Sequence, residues 1–287
     1  MFAKLSKEVI NRKKDATFVI SSIQQHGPGV STVVRDLLAS TEPPPSPTLE
    51  EDSSFLPDVE GVLNALGQRV DHLSESLSET DQVLRSELAT LGRLRRDRDN
   101  LAETTAAQIV GLRRIVQGNY PEAMLDALAL QALEERDPFT VQHRAVAIQI
   151  AFNRDDLALL LGPETFEDAP DPESYAAAVG ESGTELETAL ENVRNAERQV
   201  ELLRQSKHQA MEEYDETFLR SARIFEDLCR LAGQDELAEK VRPSTSSPGR
   251  TDQSSSSDPD PDPSNDPDPS NEPDPSNEPD PVTSSPN

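Results

Sequence analysis

Apolar residues recur in steps of three and four from Leu56 to Val116, for longer than anywhere else in the chain. In a single heptad phase the a positions are Leu63, Val70, Leu77, Leu84, Leu91, Arg98, Thr105 and Leu112. The d positions include Val59, Leu66, Leu73, Leu94, Leu101, Gln108 and Ile115. A 3.5-residue spacing kept over so many turns puts one narrow apolar stripe on a helix, and such a stripe is stable only against another helix. Ser53 or Ser54 can cap this helix, Pro57 suits an early position, and the pattern ends near Gln117. Gly61, Gly67, Gly92 and Gly111 each cost it roughly 1 kcal/mol relative to alanine, so packing has to maintain it.

A second heptad run, from about Thr184 to Val241, carries Leu186, Leu190, Val193, Val200, Met211, Tyr214, Phe218, Phe225 and Leu228, with Glu197, Arg204, Lys207 and Ser221 interrupting it. Between the two runs, residues 119–161 read as a helical hairpin. Its first limb follows Pro121 with Met124, Leu125, Leu128, Leu130 and Leu133, and its second follows Asp137–Pro138 with Val141, Ala145, Ile148 and Phe152. Leu157, Leu159, Leu160 and Leu161 extend that apolar region, and Pro163, Pro170 and Pro172 among acidic residues make 162–174 an acidic loop. Two long strands joined by a short helical insert fold back as an antiparallel pair, or each pairs with another copy of the chain. In the antiparallel arrangement Arg98 is expected to face Glu197 or Glu201 and fix register.

The N-terminal arm, residues 1–40, carries two shorter patterns. Phe2, Leu5, Val9, Ala16 and Ile23 fall on one face of a helix over 1–25, surrounded by Lys4, Lys7, Arg12, Lys13 and Lys14. Gly27–Pro28–Gly29 is expected to break the chain, after which Ser31 caps a second short helix bearing Val33, Val34, Leu37 and Leu38. Four apolar side chains on two turns cannot fold alone, so this segment must dock on the body or on a partner. The partner-binding candidates are therefore Val33, Val34, Leu37 and Leu38, with Phe2, Leu5 and Val9 ahead of them. A basic amphipathic helix also suits an anionic membrane surface, which is the alternative use of this arm.

Composition changes the picture at the ends. Residues 41–52 form a Pro-rich linker through Pro43, Pro44, Pro45 and Pro47, leaving 53–242 as the helical body. From Pro243 to Asn287 the chain holds twelve prolines and no aromatic residue, and Asp-Pro-Ser-Asn-(Asp/Glu)-Pro repeats at 262–267, 268–273 and 274–279. That composition cannot close a core, so it reads as a disordered acidic tail. The net charge of −27 argues against bulk binding to nucleic acid. Only residues 1–48, with six basic and four acidic groups, are net positive.

Candidate chemistry is sparse. His26, His72, His143 and His208 have neither a histidine four residues away nor a glutamate three before, so the zincin and di-iron helix signatures are missing. No phosphate-binding glycine loop, Gly-x-Ser-x-Gly or Cys-x-x-Cys occurs. The single cysteine, Cys229, sits among apolar residues of a predicted helix and reads as a buried thiol. No cofactor, metal or catalytic residue is expected. Arg93, Arg95, Arg96 and Arg98 concentrate positive charge, but Asp97 and Asp99 interleave at ion-pair spacing, so a solvated helix face is expected there.

The expectation is thus an all-α, elongated antiparallel coiled coil or helical bundle with an inserted hairpin, an N-terminal linker and a C-terminal tail. The function it suggests is that of a cytoplasmic, non-enzymatic scaffold or adaptor that engages protein partners through its arm and is open to homo-oligomer formation. A membrane-anchored peripheral protein is the alternative, and a helical-bundle enzyme or metal protein the more distant one.

Overall fold

The computed structural model describes residues 4–41, 57–133, 135–154 and 172–255. Among these the protein is all-α, a helical bundle without a strand. The helices are α1 (Lys7–Thr41), α2 (Val59–Asn119), α3 (Ala123–Ala127), α4 (Pro138–Phe152), α5 (Pro172–Leu231), α6 (Asp235–Val241) and α7 (Asp252–Ser255). The long helices α2 and α5 run antiparallel within one chain: Arg69 meets Glu213, Asp81 meets Lys207 and Arg95 meets Glu197. At ~1.5 Å per residue each spans on the order of 90 Å.

The apolar stripes read from the sequence face inward. Leu63, Val70, Leu77, Leu84, Leu91 and Leu112 of α2 are buried, as are Leu186, Leu190, Val193, Val200, Tyr214, Phe218 and Phe225 of α5. Beyond Leu94 the stripe on α2 moves on by one position. Ala102, Ile109 and Val116 are buried, while Leu101, Gln108 and Ile115 are only half-buried. A straight helix drifts in this way against a 3.5-residue repeat. The drift decides the fate of Arg98, which turns to the flank and pairs with its neighbour Asp99 (Nη2–Oδ1 2.6 Å) rather than with Glu197 or Glu201. Arg95 takes Glu197 instead, at 2.9 Å. Both side chains of that pair are partly exposed, 30% and 43%, which limits its worth to about 0.2–1 kcal/mol. Arg95→Ala is accordingly expected to lower stability by less than about 1 kcal/mol in urea titration. A loss above about 2 kcal/mol would mean that the pair sets register after all.

Three apolar clusters follow one another along the body. The first joins α1, the N-terminal half of α2, the C-terminal half of α5 and α6 around Tyr214, Phe218 and Phe225. A thin middle cluster consists of Leu84, Leu91, Val193 and Val200. The third closes the far end, where α3 and α4 pack on α2 and α5 through Leu112, Leu128, Leu130, Ile148 and Leu186.

Several boundaries differ from expectation. Helix α1 is continuous through Gly27–Pro28–Gly29, with Pro28 inside it. Val9, Ala16, Val19, Ile23, Val30 and Val34 are all buried, so the apolar phase passes through the proline unbroken, and their burial offsets the backbone bond that proline removes. Asp58 caps α2 by accepting from the Gly61 N–H at 2.9 Å, whereas Ser53 and Ser54 lie outside the described residues. The first hairpin limb is a single turn, α3, stopped by Ala129 at φ 58°, while α4 begins at Asp137–Pro138 as expected, with Asp137 accepting from Phe139 and Thr140.

Helix α5 begins at Pro172, twelve residues ahead of Thr184, because proline is tolerated at a first helical position. Small residues, Ala176, Gly180 and Gly183, then pack it against α4. It stops at Leu231, where Gly233 at φ +70° lets Gln234 donate back to the Cys229 carbonyl (2.8 Å). The folded chain also continues past Pro243, expected to start the tail. Residues 243–251 turn back through a bridge between Pro243 and Thr251, and Ser244 and Thr251 are buried. Leu157–Leu161, most of the acidic loop, most of the Pro-rich linker and residues 256–287 lie outside the described residues.

Candidate functional site

The most elaborate polar arrangement sits where α1, α2, α5 and the 243–251 turn converge. Asp81 occupies the side of α2 that α1 covers, and only 1% of its side chain is exposed. Its carboxylate accepts from the Ser6 backbone N–H at 2.6 Å, the Ser6 hydroxyl at 3.0 Å and Lys207 Nζ at 2.9 Å. Arg85, one turn along α2, approaches at 3.4 Å. Burial alone pushes the Asp81 carboxyl up, but the Ser6 N–H, Lys207 and the Ser6 hydroxyl outweigh it and hold the group below the ordinary aspartate value.

One step along, Arg12 of α1 reaches α5 with a two-pronged contact, Nε to Asp215 Oδ1 at 2.8 Å and Nη2 to Oδ2 at 2.9 Å, and also touches Glu8 at 3.2 Å. Burial lowers the Arg12 value, while the hydrogen bond and charge of Asp215, with Glu8 adding to them, raise it above normal. The Tyr214 hydroxyl donates to the Arg12 carbonyl at 2.9 Å, with the Gly249 carbonyl 3.5 Å away. Burial, reinforced by Asp15 and Asp215, pushes the Tyr214 phenol far above its usual value, so it remains protonated. Arg250, on the C-terminal turn, meets the buried Asp15 of α1 at 3.3 Å.

Four acids, Glu8, Asp15, Asp81 and Asp215, thus meet four bases, Arg12, Arg85, Lys207 and Arg250. This local neutrality within a chain of net charge −27 joins the first helix and the last folded turn to the middle of the sequence. Chemically it is a tether. Asp81 is held ionised by three donors and Tyr214 is held neutral by burial, so neither is poised to move a proton near pH 7. The thiol of Cys229 is buried and pushed up to about 11 by burial, which removes the thiolate a reactive cysteine requires. No grouping of three or more His, Cys, Asp or Glu that could hold a metal occurs among the described residues.

The arm residues singled out from the sequence divide into two groups. Val9 and Val34 are buried and Leu5 packs against the same cluster, so these three serve the protein's own core. Val33, Leu37 and Leu38 lie on the last turns of α1 with 40%, 45% and 38% of their surface exposed, and Phe2 lies outside the described residues. Sequence reasoning missed Arg12, Asp15, Asp81, Tyr214 and Asp215 as a unit, because their partners lie 75 to 235 positions apart. Only Lys207 gave a signal, as an interruption in the seam of α5.

The fold and this junction define a helical-bundle protein closed by a buried ionic tether. No family model, no curated protein and no solved structure matches the chain. No helix among the described residues is long and apolar enough to cross a membrane.

Proposed function

We propose that the protein is a non-enzymatic scaffold or adaptor whose elongated coiled-coil body presents the end of α1 to a protein partner. The observation that carries this reading is the exposure of Leu37 and Leu38 where α1 runs on past Val34, the last of its core residues, with Val33 exposed on the outward face of the turn before them. An apolar cluster at the end of a long helix suits insertion into a partner's groove. The membrane alternative is disfavoured by the burial of Val9, Ala16, Val19 and Ile23 against α2 and α5, since that face must leave the body before it can meet lipid. Homo-oligomer formation is not needed to satisfy either long helix, because each already has its partner within the chain, so the adaptor reading stands for a single copy.

The test is recovery of binding proteins by the full chain and by the Leu37→Asp/Leu38→Asp variant. These positions are exposed, so the variant is expected to keep its helix content and a stability within about 0.5 kcal/mol per site, and to lose a protein the parent recovers. Recovery of the same set by both would sink the reading. Liposome sedimentation that survives the double substitution would transfer the role to the membrane alternative.

A further inference from the structure

A cleft of about 280 Å³ lies between the last turns of α2 and the loop that follows α3. Arg113, Arg114 and Gln117 line it from α2 beside Ile109 and Val110, Gln131 and Leu133 line it from the loop, and no acidic residue lines it among the described residues. In a chain with twice as many acidic as basic groups, that is a departure from the surface at large. Arg12, Arg69, Arg85, Arg95, Arg98, Arg230, Arg242 and Arg250 all meet carboxylates. Among the described residues Arg113 and Arg114 meet none, as is also true of Arg93, Arg96, Arg136 and Arg198, but Arg113 differs from these in that its Nε is buried without an acceptor. A guanidinium stays charged at every accessible pH, and a buried donor left unpaired is costly, so this group calls for an acceptor.

The loop wall adds a third donor. Arg144 of α4 donates to the Gln131 side-chain oxygen and, at 3.1 Å, to the Ala129 carbonyl. Arginine can only donate, so the carboxamide oxygen of Gln131 must face Arg144, and the NH₂ group is what Gln131 can offer the cleft. The loop is held in this path at a backbone cost. Ala129, at φ 58°, is the one non-glycine residue with positive φ among those described, and Leu130 closes the turn on the Leu125 carbonyl at 2.6 Å. Strain of this kind concentrates where a loop is shaped to present a group to a ligand.

We infer that this cleft is an oxyanion site that takes a phosphate group, with Arg113 and Arg114 as charged donors, Gln131 as a neutral one and Arg144 as the positioning residue. Planar guanidinium forks match the tetrahedral oxygens of phosphate in pairs, and the volume leaves room for a substituent on one of them. The inference is independent of the scaffold reading, since the cleft lies at the far end of the body from Leu37 and Leu38.

The test is an NMR titration of the full chain with inorganic phosphate, at ionic strength held constant by chloride, following the Arg113 Nε–H and the Gln131 NH₂. Saturable shifts at both groups are expected, weakened at least about tenfold by Arg113→Gln and by Arg144→Met and unchanged by Arg69→Gln, which is remote from the cleft. Gln131→Leu, on an exposed loop position, provides a variant whose folding is not at risk and should also weaken binding. A parallel titration with phenyl phosphate separates the sources: tighter binding than phosphate assigns the site to a phosphomonoester, equal binding to the free anion. No saturable shift at either group, or equal binding by the parent, Arg113→Gln and Gln131→Leu, would overturn the inference.

Discussion

Replacing Asp81 with alanine is expected to cost about 3–5 kcal/mol, the range for removing one partner of a buried ion pair. The substitution leaves Lys207 half-buried without its nearest anion and orphans both the N–H and the hydroxyl of Ser6. Urea titration should show the loss, and amide exchange should show it concentrated in the first turns of α1. Replacing the pair together, Asp81→Leu with Lys207→Met, is expected to recover the part of the loss due to the unpaired Lys207, while the Ser6 donors and Arg85 still lack their acceptor. A single variant within about 1 kcal/mol of the parent would show that water reaches the site. The same carboxylate gives a pH dependence. Its folded value lies below its unfolded one, so the stabilisation is present in full above the unfolded aspartate range, about 4, and is lost as pH falls through the folded value.

Gly249→Ala is the second substitution with a large expected effect, about 3 kcal/mol. Gly249 sits at φ +71°, where an L-residue is strained by roughly 1–2 kcal/mol. An added methyl would also lie 2.0 Å from Asp215 Oδ1 and 2.9 Å from the Tyr214 ring. The Asp215 carboxylate cannot give way without releasing Arg12, so the clash is transmitted to the α1 contact. Gly233→Ala is the control. It has φ +70° but nothing within 4 Å of the added methyl, so it should show only the backbone cost of about 1–2 kcal/mol. Equal losses at the two positions would mean that the C-terminal turn does not press on Asp215.

The long helices were legible because an apolar stripe at 3.5-residue spacing permits few other outcomes, whereas their pairing within the chain was one of two alternatives the sequence left open. The first twelve residues of α5 were not legible, since Val179 is their one large buried apolar residue while Ala176, Gly180 and Gly183 pack by being small. Pro28 misled for a related reason. Local chemistry reads Gly-Pro-Gly as a break, yet Ile23, Val30 and Val34 keep one phase across it, and that continuity was the better guide. The ionic junction was illegible because a charge at a heptad flank looks the same in sequence whether it faces solvent or Arg12. The cleft at Arg113 was equally hidden, since its meaning depends on a loop that folds back from residues 129–133.

The thin middle cluster has a mechanical consequence. Between the two larger cores Leu84, Leu91, Val193 and Val200 are the buried apolar residues, and among the described residues no third helix contributes to that cluster. Resistance to bending in that stretch comes from two helical backbones and a single row of side chains, whereas α1 and α6 buttress one side and α3 and α4 the other. Load applied across the molecule is therefore expected to bend it first at this neck.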